Sequence, residues 1–161
     1  MVSERDYEHC VIKGGSEVSE ISVIELTEEE EFRAAFPVMR QLRTHLDEER
    51  YLELVNEAIE VNGYRMFGLI VDDYLAAVTG FIPMTNLYDG RSIWICDLVT
   101  NQQERSKGYG EILLQFVQEW ASDNGYEKVA LSSGLKRTQA HRFYVERMDY
   151  ERASFVFKKD L

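Results

Sequence analysis

Ile93-Trp94-Ile95-Cys96-Asp97-Leu98-Val99, then a polar stretch from Thr100 to Glu104, then Arg105-Ser106-Lys107-Gly108-Tyr109-Gly110: this tract decides the fold. The opening run is short, apolar but for Asp97, and followed by polar residues. That pattern predicts a central strand with both faces covered. Thr100 to Glu104 reads as a turn. Gly108 and Gly110 open an amphipathic helix with Ile112, Leu113, Phe116, Val117 and Trp120 inward, ended by Asn124-Gly125. The junction favours an anion. The first turn of a helix has N–H groups with no partner inside the helix, and its dipole end is positive. Glycine lets a bulky ligand approach the backbone closely. Arg105 and Lys107 add positive charge at the mouth. Phosphate or pyrophosphate is the natural occupant.

The spacing narrows the choice. A P-loop needs Gly, four residues, then Gly-Lys-Ser/Thr, and the tract lacks it. A dinucleotide fingerprint needs a third glycine at position 113, where Leu113 stands. What fits is Gln/Arg-x-x-Gly-x-Gly/Ala, filled by Arg105, Gly108 and Gly110.

Outward from this tract the chain reads as follows. Residues 1–20 show no clear period and contain Gly14-Gly15-Ser16, which predicts a flexible N-terminal arm. Ile21 to Leu26 alternates and predicts a strand. Thr27 with Glu30 makes a capping box, followed by an apolar stripe of Phe32, Ala35, Phe36, Met39 and Leu42. Pro37 inside it predicts a kink or a break into two short helices. Asp47 caps a second helix with Leu54, Val55, Ala58 and Ile59 inward, stopped by Asn62-Gly63. Tyr64 to Val71 and Tyr74 to Ile82 are strands joined by the two-residue turn Asp72-Asp73. Pro83 to Gly90 reads as a loop, whose Met84, Leu87 and Tyr88 could line a pocket or pack on the sheet edge. Beyond the glycine junction and its helix, Lys128 to Ser132 is a strand, Arg137 to Glu146 a helix, and Tyr150 to Lys158 a final alternating strand. An antiparallel region followed by strand–helix–strand units gives a mixed sheet with helices on both faces.

Composition sets bounds. The 161 residues suit one domain with a real core, 45% of them apolar and 29% charged, as in ordinary globular proteins. A formal net charge of −11 argues against a general nucleic-acid binder, which needs a basic footprint; it is compatible with a cationic small substrate, and equally with a surface that is acidic simply for solubility. No apolar run is long enough to span a membrane, and the first six residues are too polar for a signal peptide. The two cysteines, Cys10 and Cys96, are no disulfide framework, which points to a reducing, cytoplasmic setting. The acidic run Glu28 to Glu31 reads as a solvated first helical turn favoured by the dipole, not as a metal site. No metal is expected.

Three blocks now carry a resemblance: Asp97-Leu98-Val99-Thr100 leading into Arg105 to Gly110; Leu131-Ser132-Ser133-Gly134; and Arg137-Thr138-Gln139-Ala140-His141-Arg142-Phe143-Tyr144, followed by Met148-Asp149-Tyr150. From about Ile21 to the C-terminus the chain resembles the GNAT superfamily of N-acetyltransferases. The last block is similar to a subgroup that includes aminoalkylphosphonate acetyltransferases. The resemblance implies an α/β (α+β) GNAT fold: a mixed central sheet of six to seven strands, helices on both faces, and a single domain over residues 21–161. It implies acetyl-coenzyme A as co-substrate and a primary amine of a small molecule as acceptor. Dimers are common among relatives, and the apolar last strand could pair. A non-catalytic acyl-coenzyme A sensor module and a protein N-acetyltransferase are the competing functions.

The same resemblance assigns roles. Leu98 and Val99 would offer backbone N–H groups to the pantetheine arm and thioester carbonyl, an oxyanion hole that typically contributes about 3 kcal/mol. Arg105, Ser106, Lys107, Gly108, Tyr109 and Gly110 would hold the pyrophosphate, with Thr138 a further cofactor contact. Tyr144 would protonate the departing thiolate; its unperturbed pKa of about 10 suits that. Asp97 and His141 are the candidates for the base. A carboxylate in an apolar strand costs free energy unless paired, and a histidine titrates near neutrality. Ser132, Ser133 and Arg137 could hold an acidic group of the substrate. Ser106 departs from the family's glycine, and Asp149-Tyr150 from its Gly-Phe or Gly-Tyr; Asp tolerates a left-handed turn better than most residues.

Overall fold

The computed structural model describes residues 10–14 and 17–161, with side chains from residue 19 onward. Two compact units divide the chain, residues 1–130 and 131–161. The strands are β1 (Cys10–Gly14), β2 (Glu17–Leu26), β3 (Arg65–Val71), β4 (Tyr74–Asn86), β5 (Gly90–Thr100) and β6 (Lys128–Leu131), and they lie in one sheet in sequence order. The helices are α1 (Glu29–Met39), α2 (Glu48–Asn62), α3 (Tyr109–Asp123) and α4 (Thr138–Arg142). Of the arm expected over residues 1–20, residues 1–9 and 15–16 lie outside the described residues. Cys10–Gly14 pairs antiparallel with the start of β2.

β1 to β5 are all antiparallel. β6 reaches β5 through the α3 crossover. The Glu127 N–H donates to the Arg91 carbonyl (2.9 Å), and Lys128 Nζ meets Asp89 (3.0 Å), so both strands start side by side and run parallel. The sheet is therefore mixed, as the element order predicts. α1 and α2 cover one face, where Phe32, Phe36, Met39, Tyr51 and Val55 pack with Met66, Val78 and Val99. α3 covers the other, where Leu113 packs with Ile21, Leu69, Val71 and Ala77. The two-fold alternation of strands and the 3.6-residue stripe of helices bring these faces together.

Several local expectations need correction. The first helix is capped one residue later than Thr27: the Glu31 carboxylate accepts from the N–H groups of Thr27 (2.7 Å) and Glu28 (2.9 Å). α1 runs through Pro37 without breaking and ends two residues on. Asp47 caps α2 through the Arg50 N–H (2.8 Å), but the inward face begins a turn early, with Tyr51 and Leu52, and leaves Ile59 exposed. The segment from Pro83 is not a loop: Met84 pairs with Ser92 in the β4–β5 ladder, and Leu87 and Tyr88 stand exposed at its tip. Past Phe81, β4 has lost β3 as a neighbour, and a proline is tolerated where a strand has only one partner.

The second unit differs most from expectation. α4 has five residues and passes into a single π turn, Phe143–Arg147, instead of one continuous helix. Tyr150 to Lys158 forms no strand, and residues 151–161 are exposed. A strand is made by pairing with a neighbour, and an alternating pattern alone does not make that pairing.

Candidate active site

The cofactor tract folds as the sequence predicts, with a bulge as its pivot. Gly80 faces Asp97 while Phe81 faces Ile95, so Cys96 is an extra residue in β5. Such a bulge bends the strand and increases its twist. It also decides which backbone groups face β4. The Asn101 N–H donates to the Ala76 carbonyl (2.8 Å), so by alternation Val99 faces β4, while Leu98 and Thr100 turn their N–H and carbonyl groups the other way. On that other edge β6 begins beside Arg91 and has four residues, which takes it only to about Ile95 at equal rise. Within the first unit, Asp97 to Thr100 have a strand on one edge alone. The expected pair of donors thus divides: the Leu98 N–H points to the open edge, the Val99 N–H into the ladder.

The glycine junction follows. Gln102–Glu104 form one 3-10 turn, with Asn101 as its cap accepting from the Gln103 N–H (3.2 Å). Ser106 (φ +66°) and Gly108 (φ +84°) are both left-handed. Serine at such a position costs about 1 kcal/mol, so the departure from glycine is real strain. Around Gly108 the space is open, with nothing within 4 Å of where a Cβ would stand. At Gly110 a Cβ would meet Thr100 Oγ1 at 3.4 Å, so glycine lets α3 start close to β5. No side chain caps α3, and the N–H groups of Tyr109 and Gly110 face out of its start. Lys107 is paired with Glu104 (2.6 Å) while Arg105 is exposed.

Asp97 is held twice. Arg43 Nε donates to its Oδ1 (2.8 Å) and the Tyr64 hydroxyl to its Oδ2 (2.8 Å). A further guanidinium nitrogen of Arg43 donates to the Cys96 carbonyl (2.6 Å), and Thr79 Oγ1 to the Asp97 carbonyl (2.8 Å). Burial, then the Asp97 carboxylate, pushes the Tyr64 phenol well above its ordinary value. Burial and Asp97 likewise push the Cys96 thiol up to about 11, against the opposing pull of Arg43. Tyr64 comes so close to β4 that a Cβ on Gly80 would lie 1.7 Å from its hydroxyl oxygen. Arg43, Tyr64 and Gly80 escaped the sequence reading. Only Gly80 carries a signal, since a glycine inside an apolar strand marks a close backbone approach.

In the second unit, His141 Nε2 lies 2.9 Å from the Gly134 carbonyl, which also accepts from the Arg137 N–H (2.9 Å). The Ser133 hydroxyl is buried with no hydrogen-bond partner among the described residues. Ser132, Arg137 and Thr138 are exposed, Arg137 as the residue before α4 and Thr138 as its first. Tyr144 lies in the π turn, stacked edge-on against Phe143 (5.3 Å) and near Tyr150 (6.0 Å). Burial raises its pKa, with Arg137 pulling the other way. The π turn closes with the Met148 N–H donating to the Phe143 carbonyl (3.2 Å), a bond that spans five residues instead of four. Asp149 is left-handed (φ +58°), the turn its residue type allows. Among the described residues no group of three His, Cys, Asp or Glu could hold a metal ion, and no helix is long and apolar enough to cross a membrane.

A strand left open past a bulge, followed by an uncapped helix start behind left-handed residues, is the framework of a coenzyme A-dependent acyltransferase. The acetyltransferase (GNAT) family model matches residues 25–150. The chain belongs to this family and is an acetyl-coenzyme A-dependent N-acetyltransferase. It is 40% identical over 139 residues to "Uncharacterized N-acetyltransferase YhdJ" of Bacillus subtilis (strain 168), an alignment covering 86% of this chain and 98% of that one. Among solved structures it is similar in fold to aminoglycoside N-acetyltransferase AAC(6')-Iy in complex with CoA, with a TM-score of 0.78 and 13% identity over 90% of this chain and 97% of that one. It is also similar to a transcriptional regulator from Bacillus halodurans C-125, with a TM-score of 0.76 and 18% identity over 88% and 99% of the two chains.

Proposed function

We propose that the chain moves the acetyl group of acetyl-coenzyme A to a primary amine of a small molecule, by direct attack of the amine nitrogen on the thioester carbonyl. The observation that carries this reading is the open edge of β5 at Leu98 and Thr100, directly ahead of the uncapped start of α3. Arg105, Ser106, Lys107, Gly108, Tyr109 and Gly110 hold the pyrophosphate, by backbone N–H groups and by charge. Two N–H groups on one strand edge, two residues apart, suit an extended pantetheine arm as a partner strand would. The Leu98 N–H takes the charge that develops on the thioester oxygen.

Attack forms the C–N bond, the C–S bond breaks, and the thiolate takes a proton from Tyr144. A phenol raised by burial stays protonated at neutral pH, which suits an acid. The amine must lose its proton. Asp97, engaged by Arg43 and Tyr64, is better suited to orientation than to accepting that proton. His141, with Nε2–H given to the Gly134 carbonyl, keeps Nδ1 for the task. Ser132, Ser133 and Arg137 contact the acceptor, and Thr138 the cofactor. A net charge of −11 favours a cationic acceptor.

The test is thermal and chemical. Acetyl-coenzyme A at a hundred times its dissociation constant should stabilise the fold by about 2.7 kcal/mol. A panel of small amines should then release free coenzyme A. Protection without release from any amine would point to the sensor module, and release only with peptide amines to a protein acetyltransferase.

A further inference from the structure

We propose that Arg43, on the connection between α1 and α2, is a positioning residue that aims the Leu98 N–H at the thioester. The inference rests on the reading of β5 as the acetyl-donor strand. A trans peptide is planar, so the Asp97 carbonyl and the Leu98 N–H point in opposite directions. Whatever fixes that one peptide fixes the donor. On most strands two neighbouring ladders do this. Here the bulge at Cys96 interrupts one ladder, and β6 stops short of the other edge.

Side chains take over. Thr79 grips the Asp97 carbonyl on the β4 side (2.8 Å), which turns the Leu98 N–H to the open edge. Arg43 spans the bulge, bonding the Asp97 carboxylate (2.8 Å) and the Cys96 carbonyl (2.6 Å) with one rigid, planar group. Tyr64 holds the second carboxylate oxygen (2.8 Å) and occupies the space that only a glycine at position 80 leaves. The same connection secures the far end of the tract. Gln41 accepts from the Gln102 N–H (2.8 Å), and its amide nitrogen lies 3.4 Å from Asn101 Oδ1. The α1–α2 connection therefore brackets the donor tract from Cys96 to Gln102.

Infrared difference spectra of the full chain with acetyl-coenzyme A carrying carbon-13 at the thioester carbonyl test this. In the unaltered protein the carbonyl band should lie below its position in free acetyl-coenzyme A, because it accepts a hydrogen bond. Arg43→Gln should move the band back towards the free position while calorimetry shows an unchanged affinity for coenzyme A. Arg43→Lys, which keeps the charge but cannot make both bonds, should lie between. If Arg43→Gln does not fold, Arg43→Lys and Tyr64→Phe carry the same readout. A lower melting temperature with an unmoved band makes Arg43 merely structural and overturns the inference. Coenzyme A affinity lost together with the band shift also overturns it, since the whole strand has then been disordered. Acetyl-coenzyme A that fails to bind the unaltered protein removes the donor strand itself, and with it the proposed function.

Discussion

Asp97 and Tyr144 are both polar groups in apolar surroundings, and the molecule treats them in opposite ways. Asp97 meets a guanidinium and a phenol, and its own backbone carbonyl meets a threonine hydroxyl. Tyr144 is surrounded by rings, and burial alone dominates the rise in its pKa. A group ringed by partners is fixed in place. A buried group short of partners keeps its proton ready for a stronger base. Position in a motif marks both residues alike, but their surroundings differ: one is held by hydrogen bonds, the other packed among rings.

The largest expected effect tests the Tyr144 side of this contrast. Tyr144→Phe should lower turnover by about 10²- to 10⁴-fold while coenzyme A binds as before by calorimetry. Unchanged turnover would make Tyr144 a packing residue like its neighbours. On the Asp97 side, Gly80→Ala forces a methyl into the Tyr64 hydroxyl. Overpacking of this kind should cost about 1–3 kcal/mol in guanidinium unfolding. A neutral result would mean that Tyr64 is not held against β4.

Smaller effects sharpen the picture. Ser106→Gly should relieve the left-handed strain and stabilise the fold by about 1 kcal/mol; a loss of stability would show that the serine side chain holds the loop. The gentlest test is alkaline. Cys96 has a folded pKa of about 11 against an ordinary 9.0. Below pH 9 the thiol is protonated in both folded and unfolded states, and its contribution is complete. Between pH 9 and 11 the unfolded thiol ionises first, so stability falls as pH rises. Tyr64 adds to the loss above pH 10, since its pKa is raised as well. Urea unfolding across that range should show a shallower decline for Cys96→Ala; an identical slope would mean the thiol is not desolvated.

Legibility followed the range of the forces. Asp47, Gly63, the Asp72-Asp73 turn and the glycine junction act within a few residues, and each does what its type predicts. The strand–junction–helix from Ile93 to Trp120 was readable for the same reason. Pro83 misled because a proline signals a turn locally, whereas here it lies on a part of β4 with one neighbour. Tyr150 to Lys158 misled because alternation is compatible with a strand but does not by itself bring a partner strand to it. The division of Leu98 from Val99 depends on a bulge two residues earlier, which no local pattern announces.

The sequence by itself determined the family, the strand–junction–helix that suits a diphosphate, and the two apolar faces that α1, α2 and α3 cover. These follow from periodicity, capping and backbone conformation, all short-range. Only the tertiary structure decided that Asp97 answers to Arg43 and Tyr64, 54 and 33 residues away, and that the open edge belongs to Leu98. Hydrogen-bond direction and charge pairing depend on which segments meet in space, and that is settled by packing of the whole sheet.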